Sequence, residues 1–485
     1  MSNISAPPAR RLSTWTTASY GFGSVAYGVK DAGFGTFLLL FYNQVVGVSP
    51  ATVGFVIFLA LVCDAFIDPL IGFLSDRTRG RWGRRHPWMY AAAIPIAVGW
   101  ILLWHPPKMA EGLTLMWLFA TAVVVRSAVS CYEVPSQALT PELTSDYDER
   151  TRITAYRYLF GWAGGLTILL LAYGVFLRPS LGHPNGLTNP IGYSHLSYVS
   201  AVIMTVAILV SAWGTHHEIR NLPKTEVDKT TLGGTFHELW ETIKNRAFLI
   251  LILAGVCAYT NQGISYALSN YLYNYVWQFP GWALQILPFA LFGGAIGAFV
   301  LAPIVGRRTS KPHAAMAFVL LAAFFHTMPY WLRFAGLLPP PASATLVLVL
   351  LPIFLIATVF SVSSFILGAS MMADVVEDSE ARTGRRSEGV YFAGSFFVQK
   401  CTSGLGIMVV GQLLDAVSFP RAAKAGQVPV AVVDNLTLLY IGIYAAFAVI
   451  AAFLFMKFPF GRGEHEARLA AMVFAAEREG APHIP

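Results

Sequence analysis

Two aspartates, Asp64 and Asp68, stand four residues apart in an otherwise apolar stretch that runs from Leu61 to Pro69. On a helix that spacing puts both carboxylates on one face, about 6 Å apart along the axis. An acid at the centre of a membrane helix costs about 2.5–3.5 kcal/mol on the insertion scale, so the pair calls for a partner or a water-filled cavity. A hard cation such as Na⁺ takes oxygen ligands, and a carboxylate can alternatively carry H⁺, so the pair is a candidate cation site. The plainer reading places Asp68 at a helix end and pairs Asp64 with an Arg or Lys. Glu133, in the segment Ser130 to Pro135, adds a third acid beside a proline break; its plainer reading is a helix-end acid in interfacial water. Lys400 and Arg157 complement these acids from other apolar stretches. Lys400 can pair with an acid when the cation site is empty, or hold an anionic or hydroxylated solute. For Arg157 the plainer reading is a snorkelling side chain. Lys30 and Asp31 are chain neighbours that either take part in coupling or simply neutralise each other, and Arg126 is read the same way.

The elements that must position these groups are membrane helices. Mean hydropathy is +0.57, 55% of the 485 residues are hydrophobic and only 12% are charged. The apolar residues fall in blocks of about 20, the length that crosses a hydrocarbon core of about 30 Å. Twelve spans are predicted: Ser19–Val46, Thr52–Leu74, Trp88–Trp104, Leu113–Val134, Ile153–Leu177, Leu196–Gly214, Phe248–Val276, Leu284–Val305, Ala314–Phe334, Ala344–Ala369, Val390–Leu414 and Leu436–Phe458. Asp64 and Asp68 then lie in span 2, Glu133 in span 4, Arg157 in span 5 and Lys400 in span 11. Gly161-x-x-Gly164 and Gly293-x-x-x-Gly297 are the expected sites of close helix packing.

The formal net charge of +7 is a matter of topology rather than of nucleic-acid binding. Of the 33 Lys and Arg, 24 lie at the termini, in loops after even-numbered spans, or, for Lys457, at the very end of span 12. Loops after odd-numbered spans, with the last turn of span 9, carry only Lys108, Arg178, Arg333, Arg421 and Lys424. The positive-inside rule then puts both termini in the cytoplasm of a multi-pass inner-membrane protein. The chain divides into a cytoplasmic N-terminus (1–18), a six-helix bundle (19–215), a cytoplasmic linker (216–246), a second six-helix bundle (247–459) and a cytoplasmic tail (460–485). In the linker, Phe236 to Ile243 has apolar residues at helical spacing that suit the membrane surface. Six helices, a linker and six more is the layout of the major facilitator architecture, an all-α membrane fold of two pseudo-repeats with solute bound between them. Cytoplasmic loops carry mixed charges at matched positions: Asp76, Arg77 and Arg84 after span 2, Glu142 and Arg150 after span 4, and Asp374, Glu377 and Arg386 after span 10. Singly these read as solvated charges; as a group they suit a gating network that breaks when the halves rock. Cys63, Cys131, Cys257 and Cys401 lie in apolar segments without a CxxC spacing and read as packing residues. No HExxH, GxSxG or Walker pattern occurs, so no catalytic residue and no enzyme activity are assigned. An ion channel is disfavoured, because no filter-like repeat or pore ring is seen.

The ordered set Ser19-Tyr-Gly-Phe-Gly23, Val45-Val-Gly-Val-Ser49, Asp64-x-x-x-Asp68-Pro69, Arg81-Trp-Gly83, Glu133-x-Pro135, Asp148 to Arg152, Ala373-Asp-Val-Val376 and Lys400 resembles the glycoside–pentoside–hexuronide:cation symporters, melibiose-permease relatives of the major facilitator superfamily. That resemblance implies a Na⁺/H⁺ site at Asp64, Asp68 and Glu133, where the family has an Asp at the position of Glu133. It implies a coupling lysine at Lys400 and a sugar-contacting arginine at Arg157. The family's sugar-holding Lys-Asp pair falls on Tyr27 and Gly28, with Lys30-Asp31 three residues later, and its span 4 tryptophan is replaced by Gln137. The expectation is a cation-coupled (Na⁺ or H⁺) symporter for a sugar or glycoside-like solute, working by alternating access as a monomer in the bilayer. No cofactor is expected, and no metal other than Na⁺ at Asp64 and Asp68. The same motifs also resemble the sodium-coupled lysolipid transporters of a related branch, which carry an amphipathic solute.

Overall fold

Each helix starts where the local chemistry favours one. Ser13 Oγ accepts the Thr16 N–H at 3.0 Å and opens α1 (Thr14–Phe22). Asp146 Oδ1 takes the Glu149 N–H at 2.8 Å and opens α6 (Tyr147–Leu171). Asn189, followed by Pro190 in the first turn, opens α7 (Pro190–His216). These are N-cap acceptors for otherwise orphaned backbone donors, and a proline in the first turn loses nothing by lacking an N–H. The computed structural model describes residues 12–144, 146–180, 185–222, 245–383 and 388–459. The expected surface helix at Phe236 to Ile243, the tail beyond residue 459 and Arg386 lie outside the described residues. Among the described residues there is no strand.

The remaining helices are α2 (Ser24–Ala32), α3 (Pro50–Arg77), α4 (His86–Leu103), α5 (Glu111–Leu143), α8 (Arg246–Tyr271), α9 (Gly281–Arg308), α10 (Lys311–Phe334), α11 (Ala344–Thr383), α12 (Glu388–Ala416) and α13 (Val430–Met456). Among the described residues, eleven helices are long and apolar enough to cross a bilayer. The first crossing is the twelfth, and it is not the continuous α-helix that hydropathy suggests. It is α1 and α2, then π-helical turns at Gly33–Leu38 and Phe41–Val45. The break falls at Gly23, where a methyl group would lie 1.6 Å from the Tyr132 hydroxyl oxygen and 2.7 Å from Ser211 Cβ. Spans 5 and 7 end in similar π turns, Ala172–Phe176 and Leu272–Val276. Such turns often mark functional stretches of a helix.

Two compact units divide the described chain. The first takes in 1–234, 262–288 and 403–436; the second takes in 235–261, 289–402 and 437–485. Within the first, α2 lies directly on α6. A methyl group on Gly28 would stand 1.9 Å from Gly161 O, and one on Gly164 would stand 2.4 Å from Val25 O. Small residues let membrane helices approach this closely. Here the expected Gly161/Gly164 contact forms, with Gly28 as its partner. In the second unit the tight glycine is Gly294, 2.7 Å by the same measure from Leu355 O, while Gly293 and Gly297 make ordinary or slightly close contacts.

Candidate solute and cation site

Asp64 is buried on α3, and both of its oxygens are engaged. Arg126 of α5 donates to Oδ2 through Nε at 3.0 Å and Nη2 at 2.7 Å. Ser130, one turn along α5, donates to Oδ1 at 2.9 Å. Spacing of four puts Arg126 and Ser130 on one face of α5, so a single helix supplies both partners. The guanidinium also lies 5.4 Å from the centroid of the Phe34 ring. The plainer sequence reading of Asp64, a pair with an Arg or Lys, is the geometry observed. Asp68 is half-buried one turn further along α3.

Glu133 anchors a second cluster, between α5, α6 and α1. Its Oε1 accepts from Arg157 Nη2 at 2.8 Å and from Gln137 Nε2 at 2.9 Å. Its Oε2 is buried and has no hydrogen-bond partner among the described residues. Arg157 is fixed on its other side by the Ser136 hydroxyl at 2.7 Å and the Tyr20 hydroxyl at 3.1 Å. The Tyr20 hydroxyl donates in turn to the Ser136 carbonyl. Three residues expected at the site, Glu133, Gln137 and Arg157, are therefore brought together. An acid, an amide and a fixed guanidinium thus meet in one cluster.

Lys30 is buried, with its Nζ 3.7 Å from Asp31 Oδ1 and 4.3 Å from the Tyr27 ring centroid. The Asp31 side chain is about half exposed, at 49%. The neighbouring pair does interact, and Tyr27 shares its environment. Lys400 is half-buried on α12 in the second unit.

Asp76, Arg84 and Glu142 form a network, with its hub at a residue the charge pattern did not single out. Arg85, only 5% exposed, binds Asp76 Oδ1 at 2.5 Å, Glu142 Oε1 at 3.0 Å and the Ser75 hydroxyl at 2.8 Å. Arg84 reaches the same Glu142 oxygen at 2.8 Å. Arg77 packs over the Phe73 ring at 3.5 Å and Arg150 bonds the Thr144 carbonyl at 2.9 Å. In the second unit Asp374 takes both carboxylate contacts from Lys311, at 2.6 and 2.8 Å, and Glu377 is exposed.

Sequence reasoning also missed a neutral cluster at the opposite end of the first unit. Gln44 donates to Pro420 O at 3.1 Å and accepts from Ala423 N at 2.8 Å and the Tyr275 hydroxyl at 3.3 Å. Asn43 accepts from the Tyr271 hydroxyl at 2.9 Å, and Asn270 bridges Thr36 O at 3.0 Å to the Tyr173 hydroxyl at 2.8 Å. Span 1 is thus tied to span 7 and to the loop after span 11. At the same end α3 meets α12 closely, since a methyl on Gly411 would lie 2.3 Å from Pro50 O. Buried amides in the tract Tyr42-Asn43-Gln44 were the available signal.

A family model described as MFS/sugar transport protein matches residues 19–462. The chain belongs to that family. The isoprimeverose transporter of Lactiplantibacillus pentosus is 27% identical, over 82% of this chain and 79% of that one. A putative glycoside/cation symporter of Escherichia coli is 25% identical, over 87% and 86%. Among solved structures, the inward-open xylose transporter of E. coli superimposes with a TM-score of 0.62 at 13% identity, covering 92% of this chain and 96% of that one. The fold is therefore the twelve-helix major facilitator fold expected from the spans, and the resemblance to the glycoside–pentoside–hexuronide:cation symporters stands. In this sugar-transport family member, the intramembrane acids Asp64 and Glu133 both sit against arginines.

Proposed function

We propose that this multi-pass membrane protein is a cation-coupled symporter that carries a sugar or glycoside across the inner membrane by alternating access. The observation that carries the reading is the cluster of Glu133, Gln137 and Arg157, an ordered acid, amide and guanidinium inside the helices of a sugar-transport family member. Sugar hydroxyls both donate and accept, and such a trio offers both partners. The intramembrane acids of α3 and α5 carry the coupling cation, Na⁺ or H⁺. By linkage, whatever affinity the cation adds for solute, the solute adds for the cation.

The two halves, 19–215 and 247–459, are the rocking bodies, with Lys400 contributed by the second. With the basic loops inside, both termini are cytoplasmic, and the Arg85 network with Asp76, Arg84 and Glu142 belongs to the cytoplasmic gate. Asp374 and Glu377, with Arg77, Arg150 and Arg386, extend that gate. The Asn43–Gln44 cluster then closes the outer end of the first unit. The working species is a monomer with solute, cation and bilayer as its partners. Relatives that carry isoprimeverose and glycosides set the first solutes to try.

The test is uptake into proteoliposomes of radiolabelled isoprimeverose, β-glucosides and β-glucuronides under an imposed Na⁺ or pH gradient. Accumulation above the outside concentration, collapsed by an ionophore, is the expected result. Equilibration without accumulation for every sugar, or gradient-driven uptake of lysophospholipid alone, would overturn the assignment.

A further inference from the structure

Within the symport reading, Asp64 is already satisfied by the protein itself. We propose that Arg126 is a resident counter-cation that occupies Oδ2 of Asp64 and so keeps Na⁺ out of the α3 site. A bound Na⁺ collects oxygen ligands, and a carboxylate serves it through oxygens whose lone pairs are free to point at the ion. At Asp64 one oxygen receives two guanidinium N–H groups, at 2.7 and 3.0 Å, and the other receives the Ser130 hydroxyl at 2.9 Å. Both side chains are buried, Arg126 at 4% exposure and Asp64 at 2%, so water screens the pair little. A guanidinium stays charged under all ordinary conditions and presents a fixed, planar fork that matches a carboxylate. A second cation at the same carboxylate would lie beside that charge and would have to break its bonds. Phe34 lies against the guanidinium, 5.4 Å from ring centroid to Cζ, and Lys30 and Tyr27 line the neighbouring part of α2. Arg126 therefore sets ion selectivity by holding the position a sodium ion would take. The wild-type chain then binds no Na⁺ through Asp64, and any sodium dependence routed through that carboxylate is absent from its uptake.

The experiment compares Na⁺-specific stabilisation of the purified full chain, read as the thermal midpoint in NaCl against KCl at equal ionic strength and pH. Wild type is expected to show the same midpoint in both salts. Arg126→Gln removes the guanidinium and is expected to gain a saturable upward shift in NaCl. Arg126→Gln/Asp64→Asn, which removes both charges, is expected to lose that shift. An Na⁺-specific shift in wild type that Asp64→Asn abolishes would overturn the proposal. So would an Arg126→Gln protein that is monodisperse yet blind to Na⁺. If Arg126→Gln does not fold, the wild-type and Asp64→Asn arms still decide the question. The readout needs no transport, so failure of the uptake assay bears on the symport reading, whereas these shifts bear on Arg126.

Discussion

Gln44→Ala should loosen the end of the first unit where span 1 meets span 7 and the loop after span 11. Gln44 is 3% exposed and contacts Pro420 O, Ala423 N, Tyr275 Oη and Asn43 Oδ1. Truncation leaves the buried Ala423 N–H without its acceptor and the half-buried Pro420 carbonyl without its donor. A typical intramolecular hydrogen bond contributes about 1 kcal/mol net, and a buried donor left unsatisfied costs about 1–3 kcal/mol. Water can reach the half-exposed carbonyl, so the sum is about 2–3 kcal/mol against the closed arrangement. An opened end hydrates all of these groups, so the opening equilibrium shifts by that amount, about 30- to 150-fold at about 1.4 kcal/mol per decade. Hydrogen exchange read by mass spectrometry on the full chain in nanodiscs reports that equilibrium directly, because protection scales with local opening. Peptides covering 270–277 and 418–424 should exchange faster by about that factor, while peptides from α10, in the second unit, should not change. Acceleration below about threefold in the first two, or a uniform acceleration throughout, would refute the reasoning.

Arg157→Ala should abolish gradient-driven uptake at unchanged protein abundance. Arg157→Lys should recover little, because one ammonium cannot reproduce the fork shared among Glu133, Ser136 and Tyr20; uptake initial rates on both variants check this. Gly28→Val should cost about 2–3 kcal/mol or block folding, since its first carbon already collides with Gly161 O. Gly174→Ala, which meets nothing within 4 Å, is the neutral control, and thermal midpoints in detergent compare the two.

Much of the architecture was legible because hydropathy and charge act locally. Blocks of about 20 apolar residues had to be spans, and eleven of them are long apolar helices among the described residues. The first span escaped because its break is tertiary: Gly23 is pressed on by Tyr132 and Ser211, residues more than 100 positions away. The acids were legible for the cost of burying them, and Glu133 does meet Gln137 and Arg157. The partner of Asp64 was not, since no local rule says which face of α5 turns to α3. The i, i+4 spacing of Arg126 and Ser130 was a usable sign. Arg85 was hidden among five arginines of one loop, where charge pattern alone does not say which is buried. Asn43 and Gln44 carry no charge and so left no mark on a charge-based search.

Obligatory coupling of solute to a cation is tested most directly by running the coupling backwards. Proteoliposomes containing the chain and a trapped pH-sensitive dye, with no initial ion gradient, receive the sugar found in the uptake screen. Inward sugar flow should carry protons with it and acidify the lumen. A protonophore should abolish the pH change while leaving downhill sugar entry intact. Sugar entry with no movement of H⁺, and none of Na⁺ in a parallel experiment with a sodium dye, would contradict the account and leave a facilitator in place of a symporter.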